Sequence, residues 1–84
     1  MVVSVIIPTL NEASYITDTL RTLRQQPGPI EPIVVDGGST DATVARARAL
    51  ARVVHSKRGR GQQMNRGADE IGRASCRERV YTKV

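Results

Sequence analysis

The sequence predicts an α/β protein in which three parallel strands and three helices alternate as β-α-β-α-β-α, with helices packed on a central sheet. Three observations lead there. Short runs rich in Val and Ile recur along the chain. Each run ends in a polar loop containing proline or glycine. After each loop comes a segment with helical spacing of its apolar residues, which is the pattern of a parallel sheet with helical crossovers. Right-handed crossovers then place the strands side by side in the order 3-2-1.

The first run, Val2-Val3-Ser4-Val5-Ile6-Ile7, is β-branched and apolar on both faces, as a strand buried in a parallel sheet requires. Pro8 is expected to end it. Pro8-Thr9-Leu10-Asn11 forms a loop, and Asn11 or Ser14 can cap the helix that follows. Residues 13–25 carry Ile16, Leu20 and Leu23 on one face and Asp18, Arg21, Arg24 and Gln25 towards the other. Pro27-Gly28-Pro29 stops that helix. Ile33-Val34-Val35, preceded by Pro32, is the second strand, and Asp36-Gly37-Gly38 leaves it. Ser39 or Thr40 can cap a second helix over residues 42–50, with Asp41 in its first turn, where the helix dipole favours a negative charge. Val53-Val54 with His55 forms a third, weaker strand. Gly59-Arg60-Gly61 is a flexible basic turn, and residues 62–68 start a third helix with Met64 and Ala68 facing inward. The whole is a three-layer, Rossmann-like arrangement.

Composition narrows the function. With 84 residues the chain is at most one domain, shorter than the usual ~100–150. Its apolar runs are far shorter than the ~20 residues that span a bilayer, so no membrane segment is expected in this chain. No secretory leader is visible, and a cytoplasmic protein beginning at Met1 is expected, with membrane association left open for the full-length protein. The one cysteine, Cys76, can form neither an internal disulfide nor a Cys-rich zinc site. The net charge of +5 permits a phosphate-bearing partner. Two tyrosines and no Phe or Trp leave almost no stacking platform for single-stranded nucleic acid. A small basic module that binds nucleotide or nucleic acid without catalysis stays as the alternative to an enzyme.

In an open parallel sheet, ligands bind beyond the carboxyl ends of the strands. Three loops leave that edge. The first offers Thr9, Asn11 and Glu12, suited to hydrogen bonds with a base or sugar or simply to capping the helix. The second sets Asp36 beside Gly37 and Gly38, whose missing side chains let a backbone approach a ligand. Asp36 could accept hydrogen bonds from a ribose or base, or the loop could be a plain turn with Ser39 capping the helix. The third gathers Lys57, Arg58 and Arg60 among glycines before a helix, as a diphosphate cradle or a solvated loop. Gly59-x-Gly61 lacks the further glycine of a dinucleotide fingerprint and follows the wrong strand. No P-loop, no catalytic Ser/His/Asp set and no metal-ligand spacing occurs. His55 is read as a strand-end residue.

Val3-Ser4-Val5-Ile6-Ile7-Pro8-Thr9-Leu10-Asn11-Glu12 and Val34-Val35-Asp36-Gly37-Gly38-Ser39-Thr40-Asp41-Ala42-Thr43 together resemble the opening of family 2 glycosyltransferases of the GT-A fold. Gly59-Arg60-Gly61-Gln62-Gln63-Met64-Asn65-Arg66-Gly67-Ala68 is similar to the next stretch in one bacterial subgroup. The resemblance covers residues 2–69 and implies the N-terminal part of a nucleotide-diphospho-sugar-binding domain over residues 1–69. It implies transfer of a sugar from a UDP- or GDP-type donor to an acceptor hydroxyl. By motif position Pro8, Thr9, Asn11 and Glu12 would line the nucleoside and Asp36, with Gly38 beside it, the base or ribose. Arg60, Gly61 and Asn65 would lie near the phosphates. Many relatives carry a second acid where this chain has Gly37. The family's Asp-x-Asp motif, which would hold Mg2+ or Mn2+ in the full-length enzyme, and its catalytic base are absent from these residues. No catalytic residue is therefore assigned, and no turnover is expected of this polypeptide. Residues 70–80 resemble the translated read-through of a common DNA-sequencing adapter, so residues 70–84 are expected to be a non-native or disordered tail.

Overall fold

The computed structural model describes residues 3–28, 30–74 and 79–82; Val2, Pro29 and Cys76 lie outside them. The elements run β1 (Val3–Thr9), α1 (Ala13–Arg24), β2 (Ile30–Asp36), α2 (Thr43–Arg48), β3 (Arg52–His55), α3 (Arg60–Ala74) and β4 (Arg79–Thr82). All pairings are parallel and the sheet order is β3-β2-β1-β4. The expected 3-2-1 order is present. A fourth strand lies on the far side of β1, in register from Val3↔Arg79 to Ile6↔Thr82. The described part of residues 70–84, expected as a tail, thus supplies the last turn of α3 and β4. A strand of only four residues, next to no apolar run, leaves little periodic signal in sequence.

Pro8 and Pro32, expected outside the strands, lie within them. Pro8 pairs with Val35 and Pro32 with Val5. Alternate residues of a parallel strand direct their backbone groups to opposite sides. Thr9 O accepts from Gly37 N at 3.0 Å, so Thr9 faces β2 and Pro8 faces the β4 side, beyond where the β4 register ends at Ile6. Asp36 O accepts from Ser56 N at 2.9 Å, so Asp36 and, by alternation, Pro32 face the β3 side, and β3 begins only opposite Ile33. Neither proline removes a donor that the ladder uses.

Strands β1 and β2 are apolar on both faces because both faces are covered. Val5, Ile7 and Val34 pack with Ile16, Leu20 and Leu23 of α1 and Ala47 of α2. Ile6, Ile33 and Val35 pack on the other face with Val54 of β3 and Met64 and Ile71 of α3. Helices α1 and α2 therefore lie on one side of the sheet and α3 on the other. Ala68, expected to face inward, is exposed; Gln63, Gly67, Glu70 and Ile71 are buried instead. The buried stripe runs at i, i+4, i+7 and i+8 through a glutamine, a glycine and a glutamate before Ile71, residue types that give little apolar signal in sequence. Gly67 permits the close approach: a Cβ there would lie 2.7 Å from Ile6 Cγ2. Glu70 joins α3 to the β3 edge through an ion pair with Arg52, and within the helix it pairs with Arg66 at 2.8 Å.

Candidate functional site

Because the strands are parallel, Thr9, Asp36 and His55 all end at one edge of the sheet, and the loops after them leave from that edge. The first two loops are tied to each other by side-chain hydrogen bonds. Asn11 N donates to Ser39 Oγ at 2.8 Å, and Thr40 N donates to Asn11 Oδ1 at 2.8 Å. Glu12 N donates to Thr43 Oγ1 at 2.8 Å, and Ala13 N to Asp41 Oδ2 at 3.3 Å. Asn11 has φ 52°, a left-handed conformation that asparagine tolerates better than most residues, and its amide can thereby reach across to the second loop.

The expected caps are replaced by this exchange. Neither Asn11 nor Ser14 caps α1. Glu12 stands at its N-cap position without a side-chain cap bond, and the orphan amides of Glu12 and Ala13 are taken by Thr43 and Asp41 of the other loop. Neither Ser39 nor Thr40 caps α2. Asp41 lies before the helix rather than in its first turn, and its Oδ1 accepts from the Thr43 amide at 3.0 Å and from the Thr43 hydroxyl. These two bonds to Thr43, the hydroxyl's first, hold the Asp41 carboxyl below its ordinary pKa against an opposing effect of desolvation. A single exposed carboxylate thus serves the starts of both helices.

Asp36 is 2% exposed. Its Oδ2 accepts from Gly38 N at 3.0 Å and Ser39 N at 2.8 Å, and its Oδ1 from Ser39 Oγ at 2.5 Å and Thr9 Oγ1 at 3.4 Å. The carboxylate therefore closes the turn after β2. Gly38 follows at φ 104°, a conformation that other residues adopt only under strain. Glu12 Oε2 accepts from Leu10 N at 3.3 Å.

The third loop enters through α3. Gln63, in the first turns of that helix and 5% exposed, donates from Nε2 to Thr9 O and to Val35 O, each at 2.9 Å. It clamps the ends of β1 and β2 and brings α3 onto the same rim. Sequence reasoning missed Gln63. Its only signal is a glutamine three residues after a helix-opening arginine, in a position where the helical period turns it to the sheet. Arg60, one turn earlier and exposed, shares that side of α3. Gly61 and Asn65 are exposed about half a turn away from Gln63, on the solvent side of the helix. Thus Thr9, Asn11, Glu12, Asp36 and Gly38 form one interlocked group, Pro8 lies buried beneath them, and Arg60 heads the adjoining helix. Gly61 and Asn65 are not drawn into the group.

Among the described residues no cluster of three or more His, Cys, Asp or Glu side chains could hold a metal ion. Asp36 and Asp41 are committed to backbone and hydroxyl donors. The residues present do not fit a divalent metal. At the opposite end of β2 and β3 lies an open depression of about 390 Å³, bordered by Arg24, Glu31, Arg48 and Arg52. Arg24 there donates to Leu50 O at 3.2 Å and 3.0 Å, which places its cation at the carbonyl end of a helix.

A parallel sheet covered on both faces, with interlocked polar loops at its carboxyl edge, is the frame of nucleotide-binding α/β domains. Residues 4–71 match the family described as Glycosyl transferase family 2. The chain belongs to that enzyme family. It is 39% identical over 80 residues to a succinoglycan biosynthesis protein, ExoA, of Rhizobium meliloti (strain 1021), covering 84% of this chain and 24% of that protein. It is 40% identical over 75 residues to a PGL/p-HBAD biosynthesis glycosyltransferase of Mycobacterium bovis, covering 79% of this chain and 29% of the relative. The chain thus spans about a quarter of the length of these curated relatives. Among solved structures, glucosyl-3-phosphoglycerate synthase of Mycobacterium tuberculosis, in complex with Mn2+, UDP and glucosyl-3-phosphoglycerate, superposes with TM-score 0.76 at 29% identity, over 96% of this chain and 33% of that one. A mannosyltransferase of Pyrobaculum calidifontis, in complex with GDP-Man and Mn2+, gives 0.71 at 33% identity, over 82% of this chain and 24% of that one. The GT-A architecture expected from the motifs is the one observed. Among the described residues no helix is long and apolar enough to cross a membrane.

Proposed function

We propose that this chain forms the nucleotide-binding part of a glycosyltransferase that moves a sugar from a nucleoside-diphosphate donor to an acceptor hydroxyl. The observation that carries the reading is the interlock of the loops after β1 and β2, headed by Arg60 of α3, at the carboxyl edge of a family 2 sheet. Thr9, Asn11 and Glu12 then border the nucleoside. Asp36 and Gly38 shape the wall against base or ribose, Asp36 through the turn it closes. Arg60 at the start of α3 faces the diphosphate, with Gly61 and Asn65 on the solvent side of the same helix. The position of Arg60 supports that role. A cation at the start of a helix opposes the helix dipole, and an anionic ligand turns the repulsion into attraction.

Solved neighbours hold Mn2+ with UDP or GDP-Man, which supports a divalent metal in the full-length enzyme, bound by carboxylates other than those described. With no metal cluster among the described residues and no assigned base, the 84-residue chain is expected to bind nucleotide weakly and to turn nothing over. The resemblance of residues 70–80 to adapter sequence supports a coding sequence that departs from the family's own near Ile71, where the family match ends.

Titration calorimetry of the 84-residue chain with UDP, GDP and their sugars tests the reading. Weak binding of diphosphates that falls with added salt is expected, because the phosphate contact is ionic. Binding of the free nucleosides as tight as that of the diphosphates would remove Arg60 and its loop from the site.

A further inference from the structure

We infer that Gln63 is a positioning and recognition residue of this rim, and that Gly37 is glycine so that Gln63 can occupy the space beside it. The inference rests on the nucleotide reading above. Both hydrogens of Nε2 are spent on Thr9 O and Val35 O, which fixes the plane of the carboxamide across the ends of β1 and β2. A Cβ at position 37 would lie 3.0 Å from Gln63 Cδ and 3.1 Å from both Nε2 and Oε1. That is tighter than ordinary contact, and the neighbour it meets is held at two points. Any side chain at position 37 must therefore displace the carboxamide. Gly37 does not have a left-handed φ, so backbone conformation does not require glycine there.

The remaining polar atom, Gln63 Oε1, accepts no hydrogen bond among the described residues. The clamp thus presents one fixed acceptor beside Gly37, at the edge where the nucleoside is proposed to lie. Such an acceptor suits a base with a ring N–H, as in uracil or guanine, over a base whose ring nitrogens are only acceptors. The residue following Asp36 contributes space, and the side chain that reads the ligand comes from α3.

The test is a side-chain amide NMR experiment on the 84-residue chain, with the exposed Gln25, Gln26 and Gln62 as internal references. The Gln63 amide protons are expected to exchange at least about tenfold more slowly than those references, since both are hydrogen-bonded away from water. On titration with UDP or GDP, the Gln63 resonance is expected to move together with the backbone amides of Asn11 and Ser39. Movement of those amides with Gln63 unmoved overturns the recognition role and leaves the proposed function standing. No movement at any of them at saturating nucleotide overturns the proposed function itself. The pairing with Gly37 is tested by a cycle of Gly37→Ala, Gln63→Ala and the double variant, read as nucleotide affinity and as urea midpoint. Gly37→Ala is expected to weaken binding several-fold when Gln63 is present and to change it less than twofold in the Gln63→Ala background. Additive effects in the cycle overturn the coupling. Should a single variant fail to fold, Gln63 amide protection in the parent chain still decides whether the clamp exists.

Discussion

Replacing Gly67 by alanine sets two known effects against each other at a site where the geometry decides the sign. Alanine favours a helix interior by about 1 kcal/mol over glycine. The new Cβ, however, would lie 2.7 Å from Ile6 Cγ2 and 3.1 Å from both Ile6 Cγ1 and Cδ1, where ordinary contact begins at 3.4 Å. The gap to be opened is therefore about 0.7 Å. Ile6 cannot yield by turning. It is fully buried, on a strand with neighbours on both sides, packed among Ile33, Val35, Val54 and Ile71, and its β-branched χ1 is stiff. Helix α3 must lift instead, which strains the Gln63 clamp and the Glu70 pairs on the same helix. Overpacking of this kind costs about 1–3 kcal/mol. Subtracting the propensity gain leaves a net loss of about 1 kcal/mol. For a chain of this size that is about 4–8 °C in Tm, or about 1 M in urea midpoint, measurable by far-ultraviolet circular dichroism. In an Ile6→Ala background the clash disappears, and Gly67→Ala should then stabilise by about 1 kcal/mol. A parent-background Gly67→Ala variant as stable as the parent or more so would refute the close packing of α3 on β1.

The Asp41 carboxyl is held below its ordinary pKa by Thr43, so its stabilising contribution is complete above about pH 4 and is lost as pH falls through the lower folded value. The urea midpoint of the parent chain should therefore fall more steeply below about pH 4 than that of Asp41→Ala; parallel curves would remove this carboxylate from the helix starts. Asp36→Ala frees the Gly38 and Ser39 amides and should lower stability by about 1–3 kcal/mol, together with a weaker donor affinity in the full-length enzyme. A loss of stability with unchanged donor binding would confine Asp36 to the turn. Arg60→Ala should leave stability unchanged or raise it by about 0.3 kcal/mol, because it removes a cation from a helix start. The same variant should weaken diphosphate binding and flatten its salt dependence; equal salt slopes would contradict the phosphate role. Resequencing the source locus across codon 70 should show a reading frame that departs from residues 70–84, and an identical frame would reject the adapter reading.

Much of the fold was legible because its signals are local. Val5, Ile6 and Ile7 are all apolar since β1 is covered on both faces, and that pattern can be read without coordinates. Ile16, Leu20 and Leu23 face the core as their spacing requires. What sequence could not supply is set by contacts distant along the chain. The prolines at 8 and 32 are tolerated only because of where β4 and β3 stop. The caps of α1 come from residues about thirty positions away, whereas capping rules look only to neighbours. Ala68 and Gly67 differ by one position, and it is the glycine, which carries no apolar signal of its own, that faces Ile6. For the site, polar residue types at strand ends picked out Thr9, Asn11, Glu12 and Asp36. Gln63 escaped because a glutamine in a helix carries no motif by itself, and its role appears only once the ends of β1 and β2 lie beneath it.

The most direct measurement of the central claim is a backbone amide shift map of the 84-residue chain titrated with UDP and with GDP. Movement concentrated in residues 9–12, 36–41 and 58–63 is the predicted result, since these segments share the carboxyl edge of the sheet. Movement centred on Arg24, Leu50 and Arg52, at the other end of the strands, would contradict it.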